Sequence, residues 1–252
     1  MRYQGSKRNM VKDLKRLIEG NAINCKYYIE PFGGGMNSFA YISHPNKVAI
    51  DINPHVIAMW RGIQKHTFTI PEKVSEAEYY DMKADCLSNG GKYDSALLGN
   101  VGDACSNGCG WVNGYAHFNP KRNEDHIAEA RRGLLKHIEN FHGLYFAKFI
   151  HGSYDTFDYP DNCFIYCDPP YASTKGYNND GFDSIAFWDW CRNMAEKGHK
   201  VMVSEYDAPH DFVCVWEKQR KDGMGTCRTG CSQNTKTEKV FVHKSQLKDF
   251  KF

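Results

Sequence analysis

The sequence predicts an α/β fold, a mostly parallel sheet with helices on both faces and a mostly helical insertion. Short apolar runs alternate with amphipathic helical patterns along residues 1–66 and again along 143–252. Between these two parts, residues 67–142 are rich in glycine and poor in strand-like runs. We therefore expect one core domain built from 1–66 and 143–252, with an inserted subdomain at 67–142.

Apolar runs and periodicities predict the elements of the first part in chain order, a helix at 7–19, a strand at 27–29, a glycine turn at 30–35, a helix at 36–42, a strand at 47–50 and a helix that begins at 53–54. Gly20 and Asn21 are expected to end the first helix. Asn53 suits a helix cap, and Pro54 suits the first turn that follows it.

The insertion and the last part are predicted in the same way. In the insertion, a polar helix at 72–87 precedes a glycine-rich stretch at 89–119 and a helix with apolar positions Ile127, Ala130, Leu134, Ile138 and Phe141. The last part predicts strands at 145–150, 163–167, 201–204, 212–216 and 240–243, with an amphipathic helix at 184–196.

Composition limits the class of protein. Of the 252 residues, 41% are apolar and 14% aromatic, enough for a sizeable core, and the net charge of +2 indicates no large basic field. Because neither a membrane-spanning stretch nor a secretory signal is visible, we expect a soluble, cytoplasmic protein without membrane contact. The ten cysteines are expected to be free thiols with no bound metal. The pairs Cys105-x3-Cys109 and Cys227-x3-Cys231 lack the two-residue spacing of common zinc sites.

Two strand ends in the first part are typical of a nucleoside site. In an open α/β sheet, ligands bind beyond the carboxyl ends of the strands. The first strand runs into the segment 30–35, Glu-Pro-Phe-Gly-Gly-Gly, whose glycines let the backbone turn tightly and approach a ligand. The second strand ends in Asp51, a carboxylate that can accept both hydroxyls of a ribose. Together they favour a nucleoside-containing cofactor, and NAD remains an alternative although the dinucleotide fingerprint is missing.

The segment Asp168-Pro169-Pro170-Tyr171 follows an apolar strand and is the candidate catalytic centre. Two consecutive prolines keep the backbone extended and have no N–H, so their carbonyls stay available as acceptors. The carboxylate of Asp168 beside these carbonyls suits a primary amine on an aromatic ring. Tyr171 offers a face for such a ring, and base stacking contributes roughly 1–3 kcal/mol. A proline turn that merely ends a strand is the alternative.

The order of these segments resembles the Dam-like, phage-type DNA adenine-N6 methyltransferases over nearly the whole chain. The matching segments are 3–7 (Tyr-Gln-Gly-Ser-Lys), 30–35, 51–53, 168–171 and 204–206 (Ser-Glu-Tyr). The resemblance implies a Rossmann-like methyltransferase that transfers a methyl group from S-adenosylmethionine to the N6 amine of a flipped-out adenine in DNA. It also suggests a phage or restriction-modification setting.

The resemblance assigns residues to the cofactor as well. It implies that Tyr3 and Lys7 lie against the methionine part, with Lys7 near its carboxylate, and that Asp51 holds the ribose. Tyr154 is implied beside the cofactor adenine, while Asp168 binds the target amine and keeps its backbone near the cofactor. The remaining implied cofactor positions are Glu30, Phe32, Gly33, Gly34, Gly35 and Asn53.

For the partner, the resemblance implies double-stranded DNA, bound by a monomer or weak dimer and recognised by residues 67–142. The insertion departs from the better-known bacterial members, so no recognition sequence is predicted. Candidate DNA contacts are cationic or aromatic side chains, namely Arg8, Trp111, Tyr115, Lys121, Arg122, Arg131 and Lys175. Core packing within the insertion is an equal alternative for Trp111 and Tyr115. We expect the polar segment 173–181 to close over the flipped base.

Other functions remain open at this point. The same pocket could methylate adenine in RNA, or an amine on a protein glutamine, although glutamine enzymes characteristically have Asn where this chain has Asp168. A nucleic-acid-binding module without activity would not need Lys7, Asp51 and Asp168 together. A dinucleotide-dependent oxidoreductase would leave the 168–171 segment unexplained.

Overall fold

A computed structural model gives the fold and describes residues 7, 10–171, 182–221 and 235–251. The helices among them are α1 (Val11–Ala22), α2 (Pro54–Gln64), α3 (Glu76–Ser88), α4 (Ser95–Ala104), α5 (His126–Glu139) and α6 (Ser184–Glu196). The strands are β1 (Tyr27–Glu30), β2 (Lys47–Asp51), β3 (Lys148–His151), β4 (Cys163–Cys167), β5 (Lys200–Glu205), β6 (Phe212–Lys221) and β7 (Thr235–His243). No helix within these ranges is long and apolar enough to cross a membrane.

The seven described strands form one sheet in the order β3-β2-β1-β4-β5-β7-β6. Strands β1 to β5 run parallel, whereas β7 pairs antiparallel with both β5 and β6. The chain moves outward from β1 through β2 to β3 on one side, then returns beside β1 with β4. The strand order therefore reverses between β1 and β4, where open α/β sheets bind their ligands. The predicted α/β fold is confirmed.

Alternation along the strands separates two cores, one on each face of the sheet. In β1, Tyr28 belongs to the cluster that packs under α1, α2 and α5, whereas the next residue, Ile29, belongs to the cluster under α6. β4 alternates in the same way, with Phe164 and Tyr166 on the first face and Ile165 on the second. Because both faces are covered, every residue of β4 is buried.

Residues 67–142, which the sequence predicts as an insertion, contain α3, α4 and α5 and contribute a third, smaller hydrophobic cluster. Helix α4 packs directly on α2, since a Cβ added at Gly99 would lie 2.1 Å from the carbonyl oxygen of His55. Trp111 stacks on the His55 ring at 6.1 Å and covers Gly102. Helix α5 instead reaches the main core through Leu134. Helix α4 and Trp111 thus pack against α2, the helix that follows Asp51.

Two predictions for the first part of the chain are wrong. Helix α1 begins at Val11 rather than residue 7 and continues through Gly20 and Asn21. It continues because the Asn21 side chain donates both to Leu17 O inside the helix and to Lys251 O at the far end of the chain. No α-helix forms at 36–42, where Met36 has a positive φ of 53° and only a short 3-10 turn follows.

The other differences lie further along the chain. Helix α4 occupies part of the stretch 89–119, where the sequence predicts no regular element. Strand β3 is shorter than the predicted 145–150, since it begins at Lys148. Strands β6 and β7 extend well beyond 212–216 and 240–243, because they pair with each other as a long antiparallel ribbon.

Candidate active site

Asp51 ends β2 and is fixed by the backbone on either side of it. The N–H of Gly34 donates to its Oδ2 at 2.7 Å, and the N–H of Asn53 donates to its Oδ1 at 2.8 Å. Gly34 has a φ of +46°, a conformation that glycine adopts without strain. Burial raises the pKa of Asp51, and the two backbone donors oppose that rise. The glycine turn and the strand-end carboxylate predicted from sequence are therefore in direct contact.

Asn53 acts as the cap of α2. Its side-chain oxygen accepts from the N–H groups of His55 and Val56, while Pro54 occupies the first position of the helix. Since its backbone also bonds Asp51, Asn53 links the start of α2 to that carboxylate. A role in cofactor binding stays a prediction for this residue.

Glu30 ends β1 and lies inside the protein. Its two carboxylate oxygens accept from the hydroxyl groups of Tyr28 and Ser38, the latter at 2.8 Å. Burial, the dominant effect, raises the pKa of Glu30 from 4.5 to about 7. Its carboxylate therefore already has two internal donors, and the predicted contact with a cofactor stays untested.

A cluster of aromatic side chains lies near the carboxyl end of β1. Phe32, in the glycine turn, contacts Tyr154 with ring centroids 5.3 Å apart and Phe187 of α6 at 5.6 Å. Tyr154 also meets Trp190 edge to face at 5.2 Å. Sequence reasoning singled out Phe32 and Tyr154 separately, and the structure brings them together. Their faces provide an apolar border suitable for a planar ring.

Asp168 follows β4 and is paired with Lys7, the residue predicted for the cofactor carboxylate. Lys7 Nζ lies 2.8 Å from Asp168 Oδ1 and 4.4 Å from the centroid of the Tyr171 ring. Lys7 is only 3% exposed. Burial raises the pKa of Asp168, and the Lys7 ammonium opposes the rise. Because β4 is the neighbour of β1, Asp168 and Glu30 extend from adjacent strand ends.

Glu238 completes this cluster, and sequence reasoning did not find it. Its Oε2 accepts from the Tyr171 hydroxyl at 3.0 Å and lies 3.6 Å from Lys7 Nζ. Glu238 belongs to β7 and is 3% exposed. Nothing near Glu238 in the sequence resembles a motif, and Glu238 lies just before the strand predicted at 240–243, so no signal in the sequence singled it out.

The segment 204–206, at the end of β5, contacts β4 and the candidate catalytic segment 168–171. Ser204 Oγ forms a hydrogen bond with the Tyr166 hydroxyl at 2.7 Å. Tyr206 meets the Tyr171 ring edge to face, with centroids 4.7 Å apart and an interplanar angle of 89°. Tyr171 is therefore covered on several sides and is 7% exposed.

The candidate DNA contacts that the structure describes lie between residues 111 and 131. Trp111 packs on α2 and α4, and the hydroxyl of Tyr115 donates to Val74 O at 2.8 Å. Arg131 is half-buried on α5, 4.0 Å from Glu72. Lys121 and Arg122 are exposed in a turn. Tyr3, Arg8, Lys175 and the segment 173–181 lie outside the described residues.

Another buried carboxyl that sequence reasoning did not single out, Asp103, lies in α4. Asp103 is 2% exposed, and its Oδ2 has no hydrogen-bond partner among the described residues. Burial, reinforced by the charge of Asp51, raises the pKa of Asp103 well above its usual value. Asp103 therefore brings helix α4 within electrostatic reach of the Asp51 carboxylate.

Among the residues that the structure describes, no group of His, Cys, Asp and Glu is arranged to hold a metal ion. Cys105 is buried, and burial raises the pKa of its thiol to about 12. The side chains of Cys109, Cys227 and Cys231 lie outside the described part.

Taken together, one edge of the sheet carries an acceptor for hydroxyl groups at Asp51, an aromatic border, an ammonium at Lys7 and a carboxylate beside two prolines at Asp168. Hydroxyl acceptors and an aromatic border suit a nucleoside, while an ammonium suits a carboxylate ligand. An acceptor array next to them suits an amine donor. These groups therefore match the chemistry of a charged nucleoside and of an aromatic amine.

Two comparisons with known proteins bear on this site. Residues 3–144 and 104–221 match the model of the D12 class N6 adenine-specific DNA methyltransferases. The chain is also 24% identical, over 245 residues, to DNA adenine methylases of Vibrio cholerae serotype O1, strains Classical Ogawa 395 and El Tor Inaba N16961. The alignments cover 83% of this chain and 82% of each relative.

Proposed function

This chain belongs to the D12 class of N6 adenine-specific DNA methyltransferases, and from that premise we propose that it methylates a flipped-out adenine by direct transfer from S-adenosylmethionine. The observation that carries the proposal is the cluster beyond the carboxyl ends of the parallel strands, where Lys7 lies 2.8 Å from Asp168. That contact joins the residue suited to the methyl donor with the residue suited to the target amine.

The residues present fit the proposed cofactor by their chemistry. Asp51, oriented by two backbone donors, would accept from the ribose hydroxyls. The aromatic border of Phe32 and Tyr154 would contact the adenine ring, and Lys7 would pair with the amino-acid carboxylate. When bound, the cofactor supplies a methyl group on a sulfonium, which the target nitrogen takes up in line.

Positioning of the target amine would provide most of the catalysis. The N–H groups of adenine donate to Asp168 and to a proline carbonyl, which directs the nitrogen towards the methyl group. Near-attack geometry of this kind contributes several kcal/mol, with about 7–11 kcal/mol as the limit. After transfer, the nitrogen holds one proton too many. Asp168, whose pKa is raised by burial, is the group that we propose takes it.

Entry of the base would require rearrangement of Lys7. Its ammonium pairs with Asp168 and covers a face of the Tyr171 ring, both of which the adenine would need. Flipping a base out of a duplex costs a few kcal/mol. Stacking on Tyr171 offsets roughly 1–3 kcal/mol of that cost. Withdrawal of Lys7 towards the cofactor carboxylate would free both surfaces.

The proposal is tested by incubating the purified protein and S-adenosylmethionine with unmodified plasmid, then mapping modified adenines by single-molecule sequencing. Methylation at one short motif or at scattered adenines supports the reaction and separates a specific enzyme from a nonspecific one. An RNA copy of the same sequence serves as the comparison substrate. Methylation of RNA alone, or of neither nucleic acid, would contradict the proposal.

A further inference from the structure

Glu238 is bonded to the catalytic segment from a different part of the sheet. It lies in β7, which pairs with β5, and β5 separates it from β4 and the segment 168–171. From there its Oε2 accepts from the Tyr171 hydroxyl at 3.0 Å and lies 3.6 Å from Lys7 Nζ. The side chain is buried, so both contacts are shielded from water.

The bond to Tyr171 fixes the ring at its far end. Tyr206 already restrains the ring from the side, and Lys7 lies over one face. A phenol with its hydroxyl anchored cannot rotate away from these contacts without breaking a charge-assisted hydrogen bond. Glu238 therefore determines the plane on which a target base would stack.

The proximity to Lys7 has a separate consequence. Lys7 is shared between two carboxylates, Asp168 at 2.8 Å and Glu238 at 3.6 Å. Removing a buried ammonium from its sole carboxylate is strongly unfavourable, because the charge is left uncompensated. With Glu238 in reach, Lys7 can leave Asp168 and still face a carboxylate.

We propose that Glu238 is a positioning residue of the target-base pocket, which anchors the Tyr171 hydroxyl and keeps Lys7 paired while Asp168 takes up the adenine amine. This inference rests on the proposed function. It assigns to β7, in addition to its place in the sheet, a share in the geometry of methyl transfer.

The test compares Glu238→Gln, Tyr171→Phe and the double variant in steady-state methylation of DNA. The glutamine keeps the size of the side chain but loses its charge, and phenylalanine keeps the stacking ring but loses the hydroxyl. Glu217→Gln, an exposed acid on the neighbouring strand β6, is the matched control. We expect Glu238→Gln to lower kcat on the order of 10–100-fold, as misplaced reacting groups do.

Two further readouts separate positioning from simple damage to the fold. Affinity for S-adenosylmethionine, measured by calorimetry, should fall far less than kcat in Glu238→Gln, because Asp51 and the glycine turn are untouched and Lys7 keeps its ammonium. Fluorescence of 2-aminopurine at the target position should show reduced base capture. The double variant should lose less than the product of the two single losses, since both residues act through one hydrogen bond.

Unchanged kcat and unchanged fluorescence in Glu238→Gln would overturn the inference. So would fully multiplicative losses in the double variant, or weakened cofactor binding in proportion to kcat. If the wild-type protein itself leaves adenine in DNA unmethylated, the proposed function fails, an outcome that the wild-type reaction reveals before any variant is compared.

Discussion

The buried carboxyl of Glu30 should make the stability of this protein fall as the pH rises from about 4.5 to about 7. Burial in the native protein raises the pKa of Glu30 from 4.5 to about 7. Between these two pH values, Glu30 of the unfolded chain has released its proton while Glu30 of the native protein still holds it. Fewer protons on the unfolded state mean that stability decreases with increasing pH.

The magnitude follows from the size of the pKa change. Each pH unit corresponds to about 1.4 kcal/mol, so the loss attributable to Glu30 approaches about 3 kcal/mol by the upper end of the window. Glu30→Gln removes this titration. Like the protonated carboxyl, the neutral amide offers one acceptor oxygen and one donor to the Tyr28 and Ser38 hydroxyls, so the substitution should cost little at the acidic end of the window.

Urea unfolding of the wild type and of Glu30→Gln across this pH range measures the effect. The two proteins should be similar in stability at the acidic end, and Glu30→Gln should become the more stable by up to about 3 kcal/mol as the pH approaches neutrality. Glu196→Gln, at an exposed position of α6, is the control and should follow the wild type. A constant difference between wild type and Glu30→Gln at every pH would refute the reasoning.

Three other outcomes are expected. Gly99→Ala should destabilise the protein by about 3 kcal/mol, because the new methyl group would lie against the carbonyl oxygen of His55. Gly133→Ala in α5, with open space around it, should instead gain about 0.5–1 kcal/mol; thermal unfolding compares the two, and equal effects would exclude the close α2–α4 packing. Asp51→Ala should weaken S-adenosylmethionine binding on the order of 10-fold or more in calorimetry, and an unchanged affinity would remove Asp51 from the cofactor site. Neutralising Lys121 and Arg122 together should reduce the number of counterions released on DNA binding, read from the slope of log K against log salt, by about two. Lys26→Ala, at the amino end of β1, should leave that slope unchanged. A slope unchanged in both variants would exclude the turn from the DNA contact.

The α/β fold and the edge that carries the site could be predicted from sequence, because they depend on local patterns. The residue types in strand-end segments such as 30–35 and 168–171 can be read from sequence even where the helix bounds are predicted wrongly. Parallel strands then place their carboxyl ends on the same side of the sheet, so these segments lie close together. The contact between Gly34 and Asp51 follows from that geometry.

The remaining features depend on contacts between distant segments. Helix α1 passes Asn21 because that side chain bonds to Lys251, which no local rule anticipates. Helix α4 contains glycines that disfavour a helix in isolation, yet at Gly99 the missing side chain permits close packing on α2. Glu238 joins the site only because a hairpin returns beside β5, so a scan for motifs could not find it.

The central claim is that Asp168 holds an adenine amine for methyl transfer. Its most direct test is to treat DNA with the protein and S-adenosylmethionine, digest it to nucleosides, and quantify N6-methyl-2′-deoxyadenosine by mass spectrometry. The wild type and Asp161→Ala, an exposed aspartate just before β4, should both produce it. Asp168→Ala should fold normally, and its yield of N6-methyl-2′-deoxyadenosine should fall by a factor on the order of 10² or more. Methylation by Asp168→Ala at a rate close to that of the wild type would contradict the account.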